Sequence, residues 1–177
     1  GQPLRAVDHR DALRLGVVEG EQLLHQREGN SRLGRGVEAR LGVHIETGVQ
    51  ITNFVSIVTH SSHRSLRLMG HQYATQALAQ RPGFVSGPVH IGAFCFIGPH
   101  SVIEANTRLG KGCLVASHSR VRGDFPDFSV IEGSPAQRVG DTRDGDAALL
   151  EHHPQWRAAY ESWAGDDALA GRTGEAR

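Results

Sequence analysis

An apolar residue returns every six positions along two stretches of this chain: Leu33, Ala39, Ile45, Ile51 and Ile57, then Val85, Ile91, Ile97, Ile103, Leu109, Val115 and Val121. Four residues on stands a second small or branched residue: Val37, Val43, Val49, Val55 and Ser61 in the first stretch, then Val89, Cys95, Ser101, Thr107, Cys113 and Ser119. An α-helix advances about 100° per residue, so residues six apart lie about 240° around from one another and cannot share a face. Short strands joined by tight corners can. Glycine follows the apolar position in "IGAF", "IGPH" and "LGKG", where it supplies the dihedral freedom and close backbone approach that corners need.

Three six-residue units close a triangular coil of about 18 residues, and coils stacked about 4.8 Å apart give parallel ladders around a continuous apolar core. The period therefore predicts an all-β left-handed parallel β-helix of about four coils. The step from Ile57 to Val85 holds one repeat plus about 22 residues more, so a loop excursion over 62–84 is expected to leave the wall after His60 and return near Val85. On that count His60, His100 and His118 occupy the same edge of successive coils. The expected organisation is an N-terminal cap of unassigned structure over 1–32, the β-helix over 33–139 and a C-terminal helix and tail over 140–177. Within the last part, residues 147–164 read as helical, with Pro154 starting or kinking the second portion. Trp156, Tyr160 and Trp163 fall on one face at i, i+4 and i+7, a packing stripe. Residues 165–177 read as a polar tail.

Nineteen basic against nineteen acidic residues leave no formal net charge, so no bulk field draws the chain to nucleic acid or an acidic membrane. No apolar run reaches the roughly 18 to 20 residues of a membrane span, and the start shows no basic, apolar and cleavage-site succession. Two cysteines, Cys95 and Cys113, make no disulfide framework. A soluble, cytoplasmic protein is the expectation.

The stretch "VHIGAFCFIGPHSVIEANTRLGKGCLVASHSRVRGDFPDFSVIEGSPAQRV" resembles the hexapeptide-repeat acyltransferases. Asp124, Phe125 and Pro126, then Gly133, Ser134, Pro135 and Ala136, match the family's closing acidic-hydrophobic-proline and small-residue corner. "VTHSSHRSLRLMGHQY", followed by a loop and "GPVHIG", is similar to the segment of galactoside and maltose O-acetyltransferases in which a histidine opens the long loop. The likeness spans residues 33–139. It implies acetyl transfer from acetyl-CoA to a hydroxyl of a sugar or sugar-containing acceptor, within a homotrimer of prisms.

Such transfer needs a base, because an alcohol is a poor nucleophile near neutral pH. By resemblance His60 is the catalytic general base, and His63, Arg64 and Tyr73 in the excursion are substrate-binding candidates. The family's coenzyme groove matches Phe96, Ser117, Arg122 and Arg138, the last suited to phosphate by its guanidinium. Three positions depart from the pattern: Pro99 lacks an N–H, Gly123 replaces a common lysine, and Phe96 replaces a frequent tryptophan. The alternatives are a metal hydrolyase like the γ-class carbonic anhydrases, which share this fold and use three histidines, and a non-catalytic scaffold.

Overall fold

The computed structural model describes residues 42–171 together with the backbone of strand β1 (Gln22–Leu24). The strands that follow are β2 (Val43–Ile45), β3 (Gln50–Ile51), β4 (Ser56–Ile57) and β5 (His60–Ser61). Helix α1 (His63–Met69) and two 3-10 turns, Gly70–Thr75 and Leu78–Gln80, come next. Then come β6 (Val85–Ser86), β7 (Val89–Ile91), β8 (Phe96–Ile97), β9 (Val102–Leu109), β10 (Leu114–Val115), β11 (Arg120–Phe125), β12 (Ser129–Gly133) and β13 (Ala136–Asp141). Helices α2 (Thr142–His152) and α3 (Arg157–Ala164) end the described chain.

Three parallel ladders form the wall. One joins β2, β7 and the second halves of β9 and β11; another joins β3, β8, β10 and β12; the third joins β4 to the first halves of β9 and β11. Val89 stands opposite Thr107, Phe96 opposite Leu114 and Val102 opposite Arg120, each pair separated by the three repeats that one coil requires. After a register shift between Val121 and Gly123, the next layer is slightly shorter, with Val130 opposite Leu114. Antiparallel strands cover ladder ends, β1 on β2 and β13 on β12, which satisfies backbone groups an open edge would leave unpaired. Ser134–Pro135, at the turn into β13, is a cis peptide.

The repeat's apolar residues point inward. Ile91, Ile97, Ile103, Leu109, Val115, Val121 and Ile131 are at most 2% exposed, each worth about 2 kcal/mol of burial. The glycines after them serve close approach and not a left-handed backbone: a Cβ on Gly92 or Gly98 would lie 2.7 Å from the backbone of the next layer, at Gly110 or Ser117. The left-handed corners fall elsewhere, at Gly48 and Gly112 and at six residues other than glycine, Phe54, Phe94, His100, Asn106, His118 and Phe128, these six with φ of 56 to 62°. Each of the six costs about 1 kcal/mol relative to an ordinary conformation.

Two expectations about the excursion are corrected here. Val43 pairs with Val89 and Ile51 with Ile97, so the excursion holds one full repeat more than the apolar phase implied. Val85 is not a wall position; it stands antiparallel to Ser61 at the base of the excursion. Because the discrepancy is one whole repeat, the apolar phase is preserved while the corner is displaced.

The C-terminal stripe also divides. Asp141 caps α2, its carboxylate accepting from Arg143 N at 3.1 Å, and a 3-10 turn over Pro154–Trp156 separates α2 from α3. Trp163 packs on Phe94 and Phe128 with ring centroids 4.6 and 5.8 Å away, and Tyr160 meets it edge-on. Lys111 Nζ donates to the carbonyls of Trp163 and Ala164, a cation at the helix's negative end. Trp156 lies in the turn, outside α3, and is 62% exposed. The expected repeat positions Leu33 and Ala39, and the rest of the N-terminal cap apart from β1, lie outside the described residues, as do residues 172–177 of the tail.

Candidate active site

His60 occupies the corner at which the wall is interrupted. It pairs with Ser86 across the two-residue β5–β6 ladder, and Gly87 N donates to Thr59 O at 3.0 Å, closing the base of the excursion. The imidazole lies on the ring of Phe84, centroids 5.7 Å apart and planes 24° apart. Its Nδ1 is buried.

The expected acceptor residues do not converge into one cluster. His63 opens α1 and shares a 2.7 Å hydrogen bond between its Nδ1 and Ser61 Oγ, which ties it to the strand that carries His60. Arg64 is exposed on α1, its Cβ 3.0 Å from where a Cβ on Gly83 would sit. Tyr73 is engaged within the excursion: its hydroxyl accepts from Arg81 at 3.0 Å while the Arg81 guanidinium covers its ring at 4.1 Å. Arg81 also donates to the Gln76 carbonyl, so both side chains are held by the loop's own structure.

Of the expected coenzyme residues, Phe96 is 38% exposed on β8, and Ser117 and Arg122 are exposed at corner and strand positions of the next layer. Arg138 lies on β13, where it donates to Ser129 Oγ at 3.2 Å and to Asp141 Oδ2 at 3.1 Å. Pro99 lacks a donor, but its carbonyl accepts the His118 N–H at 3.0 Å.

The expected line of three histidines is broken. Phe54, not His60, stacks on His100 (4.9 Å), which stacks on His118 (5.0 Å). Because Ile57 pairs with Ile103, the place equivalent to His60 in the next layer belongs to Asn106. Among the described residues of the single chain no group of three histidine, cysteine or acidic side chains is arranged to hold a metal ion. A second imidazole stack, His44 on His90 at 4.6 Å, is one that sequence reasoning missed; the pairing register of β2 with β7 creates it. Burial, then His44 and Arg108, hold the His90 pKa below its ordinary value.

The family model for bacterial transferase hexapeptide (six repeats) matches residues 88–123. Those residues carry the hexapeptide repeat. The matched stretch covers β7 to the middle of β11, the most regular part of the wall. The chain is similar to the probable acetyltransferase Rv3034c of Mycobacterium tuberculosis, 40% identical over 57 residues that make up 32% of this chain and 19% of that protein. It is also similar to serine acetyltransferase 4 of Arabidopsis thaliana, 29% identical over 75 residues, 42% of this chain and 21% of that one. The matches thus span about a fifth of the length of these curated relatives. In fold it resembles a mutant of AntD, an N-acyltransferase from Bacillus cereus in complex with dTDP and coenzyme A, with TM-score 0.50 at 20% identity over 67% of this chain and 60% of that one. No helix among the described residues is long and apolar enough to cross a membrane.

Proposed function

We propose that this protein is a CoA-dependent O-acetyltransferase that moves an acetyl group from acetyl-CoA to a hydroxyl of a sugar or sugar-containing acceptor, with His60 as general base. The observation that carries the proposal is the position of His60: the regular wall opens into a long excursion, and the residue at the opening is a histidine with its ring backed by Phe84. A purely structural prism has no use for that interruption. The hexapeptide repeat and two relatives named as acetyltransferases support the reaction class.

The chemistry balances without a further reagent. Because Nδ1 is buried, His60 Nε2 takes the proton from the acceptor hydroxyl as its oxygen attacks the thioester carbonyl. The tetrahedral intermediate then collapses with cleavage of the C–S bond, and the imidazolium returns its proton to the leaving thiolate. A positioned base of this kind contributes about 10²- to 10⁴-fold. In the same reading His63 orients the acceptor near His60, Arg64 and Tyr73 line the approach from the excursion, and the coenzyme runs past Phe96, Ser117 and Arg122. Arg138 reaches a phosphate by sharing its guanidinium with Asp141. In the same reading the wall is a left-handed β-helix, assembled as a cytoplasmic homotrimer.

The test is to incubate the protein with acetyl-CoA and a panel of sugars, amino sugars, nucleotide-linked sugars and glycans, and to locate any new acetyl group by mass spectrometry and NMR. An ester on a sugar hydroxyl supports the proposal. An amide on an amino sugar contradicts the O-transfer part while leaving acyl transfer standing.

A further inference from the structure

We infer that Phe84 is a positioning residue for His60, and that the excursion works as a clamp that fixes the plane of the catalytic imidazole. This rests on the reading of His60 as general base and adds to it the residue through which the loop would act on the reaction.

The returning limb of the excursion, Pro82 to Gly87, is pinned along its length. Ser65, fully buried on α1, donates its hydroxyl to the Pro82 carbonyl at 2.8 Å. Gly83 adopts a left-handed backbone with φ of 73°, and a Cβ there would meet Arg64 Cβ at 3.0 Å, so α1 and the limb are in close contact. Ser86 pairs with His60, and its carbonyl accepts from Asn106 Nδ2 at 3.2 Å. Gly87 N bonds to Thr59 O. Asn106 stands at the corner directly below His60, in the next layer of the wall. It thus ties the limb to the rigid prism at the residue opposite the histidine.

Between these anchors stands Phe84, whose ring lies against the His60 imidazole at 5.7 Å and 24°. The two rings come from opposite limbs of the excursion, which the β5–β6 pair holds in register. An imidazole has two rotatable bonds, and a base contributes fully only when its nitrogen is held near the reacting hydroxyl; a displacement of about 1 Å can cost 100-fold. A flat apolar neighbour removes one side of the ring's rotational range without competing for its nitrogens. An aliphatic side chain of similar volume fills the space but does not impose a plane.

The experiment compares wild type, His60→Ala, Phe84→Leu and Phe84→Tyr for thiol release from acetyl-CoA with the acceptor panel above, and measures ¹³C relaxation of the His60 ring in each protein that retains it. The inference expects Phe84→Leu to lose about 10- to 100-fold in kcat with the KM for acetyl-CoA within threefold, a lower order parameter for the His60 ring, and recovery to within a few fold in Phe84→Tyr. If His60→Ala is inactive while Phe84→Leu keeps both its kcat and its ring order, the positioning role is wrong and the base stands. If His60→Ala keeps full activity, the base reading fails and the positioning role with it. Should Phe84→Leu not fold, Phe84→Met takes its place; should no acceptor turn over, the ring order alone decides.

Discussion

The His100 imidazole lies on that of His118 with centroids 5.0 Å apart and planes 6° from parallel, and both residues sit on left-handed corners of adjacent layers. Phe54 extends the stack on the other side of His100. His100 therefore has two ring neighbours, whereas Phe54 and His118 have one each within the column. Each ring contact is worth about 0.5 to 1.5 kcal/mol, so His100→Ala is expected to lower unfolding stability by roughly twice as much as Phe54→Ala or His118→Ala. Urea midpoints of the three variants check the ratio. Equal losses would show that the stack is not a unit.

Glycine substitutions separate close approach from conformational freedom. Gly98→Ala places a Cβ 2.7 Å from Ser117 N and should destabilise by about 1 to 3 kcal/mol. Gly145→Ala, within α2 and with nothing inside 4 Å, should instead stabilise by about 0.5 to 1 kcal/mol. Thermal melts that move in opposite directions confirm both assignments; a Gly98→Ala protein as stable as wild type contradicts the layer spacing.

The His90 environment gives a pH dependence with a definite sign. Burial lowers its pKa, with His44 and Arg108 adding to the effect and Glu46 opposing it. The folded state therefore favours neutral imidazole relative to the unfolded chain, which binds more protons once pH falls below the ordinary histidine value of about 6.5. The stabilisation is present above that pH and is lost as pH falls toward the depressed native pKa. His90→Gln should flatten the stability profile below about pH 6.5. An unchanged slope in the variant would remove His90 from the account.

The period of six makes the wall legible because each inward position is apolar and each layer repeats its neighbour: Ile91, Ile97 and Ile103 occupy the places their spacing assigns. The excursion is harder to place for a physical reason. Val85 is apolar and in phase, yet it pairs with Ser61 off the wall, and only the backbone register of Val43 with Val89 shows it. That displacement by one repeat makes Phe54 the partner of His100 and gives His60 a corner of its own. Phe84 carries no signal in the sequence because its contact with His60 joins two limbs of a loop whose return point the apolar phase misplaces. The left-handed corners are equally hidden. Six of them fall on phenylalanine, histidine and asparagine, and although Gly48 and Gly112 take the same backbone, the glycines directly after the apolar positions, such as Gly92 and Gly98, mark close contacts between layers.

The central claim is tested most directly by the rate of thiol release from acetyl-CoA in the presence of a turned-over acceptor, measured side by side for wild type and His60→Ala at equal fold and equal CoA affinity. A general base at His60 predicts a fall of about 10²- to 10⁴-fold in kcat. Release by His60→Ala within a few fold of wild type would contradict it and leave the opening in the wall without a chemical role.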